Sequence, residues 1–281
     1  MTPHSPVFAK MLPVLLASCL LPGITGAQQI ELSQQSWSAE VIRPRGQPVV
    51  PLFDGWFTNA DGTRTLCYSF FNLNTEQSLS IPTGADNYLN DARFEAMLPT
   101  HFDPLPPAYR HKFCVFTITV PADFRRDETI EWHLTSANQQ LSVPGYILPE
   151  FMLDEPASDG RQDLAPLIKL APDAAGVRGR KGMVNSHTLH GKTGQPIELQ
   201  AWVEHPDAQV WIGWAKHSGP GQVEFSALEY TTATGATPFT TQATFAEAGS
   251  YVIRLQSIDD VDAFEYYCCH TNVYFPVEIS N

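Results

Sequence analysis

The stretch Ala248-Gly-Ser-Tyr-Val-Ile-Arg-Leu255 constrains this chain more than any other. Tyr251, Ile253 and Leu255 alternate on one face after a glycine turn, the two-residue period of a half-buried strand. A tyrosine just inside such a strand is the layout of a tyrosine corner, a device of stacked antiparallel sheets. The flanking runs agree: strands are expected over 196–203, 209–215, 223–225, 240–245, 250–256 and 272–279. In the last of these Val273, Phe275, Val277 and Ile279 share a face. Trp211 or Trp214 is expected to fill the central core slot. Ile253 stands where a second inter-sheet cysteine would be, so this core must hold by packing alone.

Residues 38–150 carry a second set of short β-type runs separated by turn chemistry. Runs at 49–57 and 63–72 flank Asn59-Ala-Asp-Gly62, and Asp-Gly between two such runs signals a hairpin. Further strands are expected at 78–81, 111–120, 129–134 and 139–143, the last two joined by a turn at Ser136-Ala-Asn138. This half reads as a β-sandwich or small barrel. From 86 to 109 the pattern lapses into Asn, Asp and Pro, with Pro104, Pro106 and Pro107 opposing regular pairing. That excursion either covers a sheet edge or binds something, with His101, Asp103, Tyr109 and His111 as its polar contacts. Residues 151–190 read as a connector rich in Asp, Pro, Ala and Gly, with Arg178-Gly-Arg-Lys181 as a solvated basic run. Only 164–170 keeps any period there.

The C-terminal motifs, Trp211 and Trp214 followed by Lys216-His-Ser-Gly-Pro-Gly221, Val223-Glu-Phe225, Thr244-Phe245 and the 248–255 strand, resemble the PKD and cadherin-like branch of immunoglobulin-like domains. The resemblance covers about 85 residues. The first half, notably Asp54-Gly-Trp-Phe-Thr-Asn-Ala-Asp-Gly62 with Phe70-Phe-Asn-Leu-Asn74, resembles exported bacterial proteins of unassigned activity. Together they imply modules of adhesion, substrate binding or spacing, and no catalytic residue. The expected architecture is all-β: residues 1–27 as a leader, a β-sandwich over 28–150, a connector over 151–190, and an immunoglobulin-like, PKD-like sandwich over 191–281.

The leader rests on Lys10, an apolar run from Met11 to Leu21 and Thr25-Gly-Ala27, the three parts of a secretory signal. A rival reading takes Leu16-Ala-Ser-Cys19 as a lipid-anchoring box, but the residues after Cys19 are still apolar. The run is too short and too Pro-broken for a membrane span. Periplasmic or extracellular residence follows. Cleavage removes one lysine and no acid, taking the net charge from −13 to −14. Such a charge disfavours nucleic acid and anionic membranes as partners. Four cysteines remain, and export argues for disulfides. Cys67 and Cys114 both lie in strand-like runs of the first half and are expected to pair. Cys268 and Cys269 are adjacent, with Cα atoms about 3.8 Å apart where disulfides usually span about 4.4 to 6.8 Å. A bridge between them would stiffen the turn or serve as a redox pair.

The segment 257–270 carries the densest functional chemistry. Sandwich end loops recognise ligands, and this one combines Asp259, Asp260, Asp262 and Glu265 with Phe264, Tyr266, Tyr267 and His270. Asp259, Asp260 and Asp262 offer hard oxygens suited to calcium, although no Asp-x-Asp-x-Asp-Gly loop is present and a solvated acidic tip is the plainer account. Zinc through Cys268, Cys269 and His270 fits poorly, since structural zinc sites space their cysteines. No other cofactor is expected. His187 and His190 would meet on one helical turn as a metal pair. No nucleophile elbow, His-Glu-x-x-His or phosphate loop occurs. The leading expectation is an exported non-catalytic binding, adhesion or assembly module recognising a carbohydrate or protein, with Asp259, Asp260, Asp262, Phe264, Tyr266, Tyr267, His270, His101 and Tyr109 as contacts. Trp56, Tyr88 and Tyr109 are aromatics that stack on sugar rings or peptide groups if exposed, and each could equally be core. The alternatives are a secreted hydrolase or metal enzyme sited in the first half, and a redox role for Cys268 and Cys269.

Overall fold

The computed structural model describes residues 44–104, 111–153, 164–206, 209–235, 238–258 and 269–281. The leader run, with Cys19, lies outside them. The described residues belong to one compact unit, Ala39–Asn281, built from β-strands and two short 3-10 turns, Ala92–Met97 and Pro149–Phe151. Among the described residues no helix is long and apolar enough to cross a membrane.

The first sandwich contains β1 (Val49–Thr58), β2 (Arg64–Asn72), β3 (Leu79–Ser80), β4 (Asn87–Leu89), β5 (His101–Phe102), β6 (His111–Val120), β7 (Ile130–Ser136) and β8 (Gln139–Gly145). One sheet runs β1-β2-β6, a second β4-β7-β8, and β3 pairs with β5. The Asp-Gly hairpin forms as expected: Gly62 takes φ +84° and Asn59 N–H donates to Thr63 O at 2.8 Å. Ala137 and Asn138 both take positive φ in the second hairpin, as a type I′ turn requires. Between the sheets Tyr68 stacks on Phe116 at 5.0 Å, and Phe116 meets Trp132 edge-on. The polar tips are satisfied: Trp132 Nε1 donates to Asn87 Oδ1 (2.9 Å) and Tyr68 OH to Ile130 O (2.7 Å). Of the two roles open to Trp56 the structure gives it the core one, with its Nε1 donating to Leu148 O. Tyr88 is exposed and stacks on His133.

A bulge at Asp54 breaks the β1–β2 register between Phe53 and Gly55. Gly55 has φ +134° and a Cβ there would lie 2.4 Å from Phe151 O, so only glycine lets the 148–153 segment close on the strand. The Asp54 carboxylate bridges the gap, accepting from Ser69 Oγ (2.6 Å) and from Cys114 N–H (2.7 Å). Cys67 and Cys114 form the expected disulfide, joining the neighbouring strands β2 and β6.

The second sandwich contains β9 (Leu167–Lys169), β10 (Met183–Val184), β11 (Leu189–Lys192), β12 (Pro196–Glu204), β13 (Gln209–Ser218), β14 (Val223–Phe225), β15 (Glu229–Ala233), β16 (Phe239–Phe245), β17 (Gly249–Ile258) and β18 (His270–Ser280). One sheet runs β10-β18-β17-β13-β15 with β11 also on β18, and the facing sheet runs β14-β16-β12-β9. Their inner faces meet in a core of Leu199, Ala201, Val203, Ile212, Trp214, Phe245, Ile253, Leu255, Val273 and Phe275. Trp214 takes the central slot, while Trp211 folds over Gly213 at the sheet surface. Tyr251 OH donates to Glu247 O at 2.7 Å, which closes the tyrosine corner and, with the stacked sheets, makes this half immunoglobulin-like.

Part of the stretch read as a connector is sheet. β9 pairs with β12, and β10 and β11 run parallel to β18. The basic run is only partly solvated: Lys181 is exposed, but Arg180 is buried, Arg178 Nη1 donates to Ala165 O, and Gly179 N–H donates to Thr271 Oγ1 at 2.9 Å. The excursion at 86–104 likewise contains β4 and β5, which extend or flank sheets of the first sandwich.

Period-2 alternation leaves Ala215, Arg254, Gln256, Asn272 and Tyr274 on the outer face of the larger sheet. That face is covered by the first sandwich. Tyr274 OH donates to Val115 O (2.8 Å) and Asn272 Nδ2 to Cys114 O (3.0 Å). His217 Nε2 faces Met97 O at 3.0 Å, Thr100 N–H donates to His217 O, and Gly219 N–H donates to Thr100 Oγ1. These bonds satisfy backbone groups on one side with partners on the other, while Arg254 Nη1 and Asn272 Oδ1 are buried in the same seam without a hydrogen bond.

Candidate functional site

Two regions carry functional chemistry: the loop end of the second sandwich and a pocket in the seam. β17 and β18 pair without interruption over ten positions, from Gly249↔Ile279 to Ile258↔His270. The ladder therefore stays intact up to both roots of the connection between them. The β12–β13 and β15–β16 connections open at the same end, since Gln209 pairs with Ala233, Trp211 with Ile258, and Gly235 N–H donates to Val203 O. Lys169 and Glu204 form an ion pair at 2.5 Å beside them.

Asp259, Asp260, Asp262, Phe264, Tyr266, Tyr267 and Cys268 lie outside the described residues, as does Tyr109. His270 is described and is 2 % exposed. It opens β18 at the root of the loop. Cys269 precedes it with φ +70° and is disulfide-bonded, its partner lying outside the described residues. The helical pairing of His187 and His190 does not occur, because His190 lies in β11 opposite Glu278 and strand geometry replaces the helical turn. Among the described residues no group of three or more His, Cys, Asp or Glu side chains gathers around a common point.

The second region was not foreseen as a unit. A small open pocket, with enclosed room for about one water-sized group, is lined by Phe70, Pro99, His101, Asp103, Val115, Ala215, Lys216, His217 and Arg254. A register shift in β13 between Lys216 and Ser218 lets both Lys216 and His217 reach buried positions. Lys216 Nζ donates to Pro220 O and Gly221 O, and burial pushes its ammonium pKa down. Burial, with the Arg254 charge adding to it, pushes the His217 imidazole down to about 3, so it is neutral and its Nε2–H donates to Met97 O. Burial also lowers Arg254 and raises Tyr274 to about 12.

On the first sandwich's side, His101 Nε2 meets Asp103 Oδ1 at 2.8 Å and its Nδ1 lies 3.3 Å from the exposed Ser80 Oγ. Asp103 Oδ1 also accepts from Ser78 Oγ at 2.8 Å. The structure thus links Ser80, His101 and Asp103 in one hydrogen-bonded chain. Sequence reasoning named His101 and Asp103 but not Ser80. Ser80 and His101 are cross-strand partners in the two-residue β3–β5 pairing, too short to leave a periodic trace.

No family model matches the chain, and no curated protein matches it. Among solved structures, the D0-D1 domain of Intimin is 14% identical over 82% of this chain and 100% of that one, with a TM-score of 0.26. The Yersinia pseudotuberculosis adhesin InvE is 14% identical over 85% of this chain and 59% of that one, with a TM-score of 0.24. WR4, a C. elegans MSP family member, is 6% identical over 33% of this chain and 92% of that one, with a TM-score of 0.24. At such TM-scores the likeness carries no argument, and the architecture above stands on this chain's own registers and core.

Proposed function

We propose that the chain is an exported, non-catalytic binding module that recognises a carbohydrate or protein partner through the 259–268 loop at the open end of the second sandwich. The observation that supports this reading is the uninterrupted β17–β18 ladder, which ends at Ile258↔His270. The ladder holds the two roots of the connection side by side, so whatever the connection binds is anchored to the sheet. Its sequence supplies the amphipathic rings and carboxylates that recognition surfaces use. Calcium bound through Asp259, Asp260 and Asp262 belongs to the same proposal and would raise affinity. The cysteine bridge at 269 acts in this reading as a stiffener of the loop root. The test is a glycan array and a surface-protein pull-down, each run with the wild type and with a Phe264→Ala, Tyr266→Ala, Tyr267→Ala variant. Hits lost in a variant of unchanged melting temperature support the reading. Hits retained, or none with either protein, sink it.

One specific observation favours a second reading, a hydrolase sited in the first sandwich. In the Ser80–His101–Asp103 chain, His101 Nδ1 would accept the serine proton as Ser80 Oγ adds to an ester carbonyl and pass it to the alcohol that leaves as the ester C–O bond breaks, with Asp103 holding Nε2–H. Labelling of Ser80 by a phosphonylating reagent and ester turnover lost in Ser80→Ala would establish it. Equal turnover by wild type and variant would dismiss it.

A further inference from the structure

Arg254 occupies the middle of β17, four residues before Ile258, and is only 4 % exposed. Its guanidinium lines the seam pocket, and Nη1 is buried there without a hydrogen-bond partner. Each other polar group facing this space is engaged. Lys216 donates to Pro220 O and Gly221 O, and His217 to Met97 O. Asp103 Oδ1 holds His101 Nε2 and Ser78 Oγ, and Tyr274 donates to Val115 O. A guanidinium keeps its charge even when buried, and a desolvated charge whose donors are unmet is costly unless an anion meets it. Two cations, Arg254 and Lys216, face one carboxylate that is already spoken for by a histidine and a serine.

We propose that the seam pocket binds a compact carboxylate group, with Arg254 as its principal donor and Lys216 reinforcing the positive field. The planar fork of a guanidinium matches the two oxygens of a carboxylate. The remaining walls, Phe70, Pro99, Val115 and Ala215, suit the C–H side of formate, or the carboxylate tip of a larger acid whose body stays outside the mouth. The site is formed by both sandwiches, so its occupant would bridge them. It is separate from the 259–268 loop and stands or falls independently of the reading above.

The test is an NMR titration of the ¹⁵N-labelled full chain, following the Arg254 Nε–H resonance as sodium formate and, separately, sodium chloride are added. A saturable shift with formate, half-complete below about 10 mM, and no comparable shift with chloride supports the proposal. Equal shifts with both salts would overturn the carboxylate assignment. No saturable shift with formate would overturn the site itself. In Arg254→Met, formate should cease to raise the melting temperature as it does in the wild type, and an undiminished rise would count against Arg254. Should that variant fail to fold, the wild-type titration decides alone.

Discussion

Acidification should destabilise this protein through His217. The imidazole is 3 % exposed, donates Nε2–H to Met97 O, packs edge-on against Tyr274 at 5.2 Å and shares the pocket with Lys216 and Arg254. Its folded pKa is depressed to about 3, against about 6.5 in an unfolded chain. Below pH 6.5 the unfolded state therefore takes up a proton that the folded state refuses. The contribution of the neutral imidazole is full above that pH and is lost as the pH falls toward the folded value. Linkage puts the loss from this residue at about 2 kcal/mol between pH 7 and pH 5. The perturbation is His217→Gln, which keeps a donor for Met97 O but cannot titrate. Urea unfolding followed by tryptophan fluorescence at pH 7, 6 and 5 gives the stability of both proteins. Carboxylates and the other histidines contribute alike to each and cancel in the difference. The variant should lose about 2 kcal/mol less than the wild type over that interval. Identical pH slopes would refute the neutral, buried imidazole and with it the tight seam.

Other consequences are open to the same kind of measurement. Trp132→Phe should cost about 1 to 2 kcal/mol more than Trp214→Phe, because Trp132 Nε1 donates to buried Asn87 Oδ1 whereas Trp214 Nε1 has no partner to lose; equal costs in urea melts would contradict this. Tyr251→Phe should lower stability by about 1 kcal/mol through the Glu247 carbonyl bond, and a neutral result would remove the tyrosine corner from the account. Replacing Cys67 and Cys114 together by serine should cost about 2 to 4 kcal/mol, since the bridge closes 47 residues of sequence. A reductant-insensitive melting curve would show that it contributes nothing.

Much of the second sandwich was legible because period-2 alternation reports which side of a strand is apolar. Tyr251, Ile253, Leu255, Val273, Phe275 and Val277 announce an inner face, and all six are buried. Alternation says nothing of what covers the other side. On that side Arg254, Asn272, Tyr274 and His217 are all buried, against the first sandwich. The seam is long-range in sequence, with Asn272 reaching Cys114 and Tyr274 reaching Val115, so no local pattern encodes it. The strands β10 and β11 were missed for a different reason. They are two and four residues long, run parallel to β18 and sit in a Pro- and Gly-punctuated stretch, too short for a period to register. The pairing of Cys67 with Cys114 was readable because both cysteines lie in strand-like runs of the same sandwich. The seam pocket was not, because its groups come from positions 70 to 254 and meet only when the sandwiches are joined.

The seam pocket and the acid sensitivity of His217 both depend on the two sandwiches unfolding and acting as one body. Differential scanning calorimetry of the full chain at pH 7 tests this most directly. A single transition whose calorimetric and van't Hoff enthalpies agree is the predicted result. Two resolved transitions, one lost on reducing Cys67–Cys114 and the other unaffected, would contradict it.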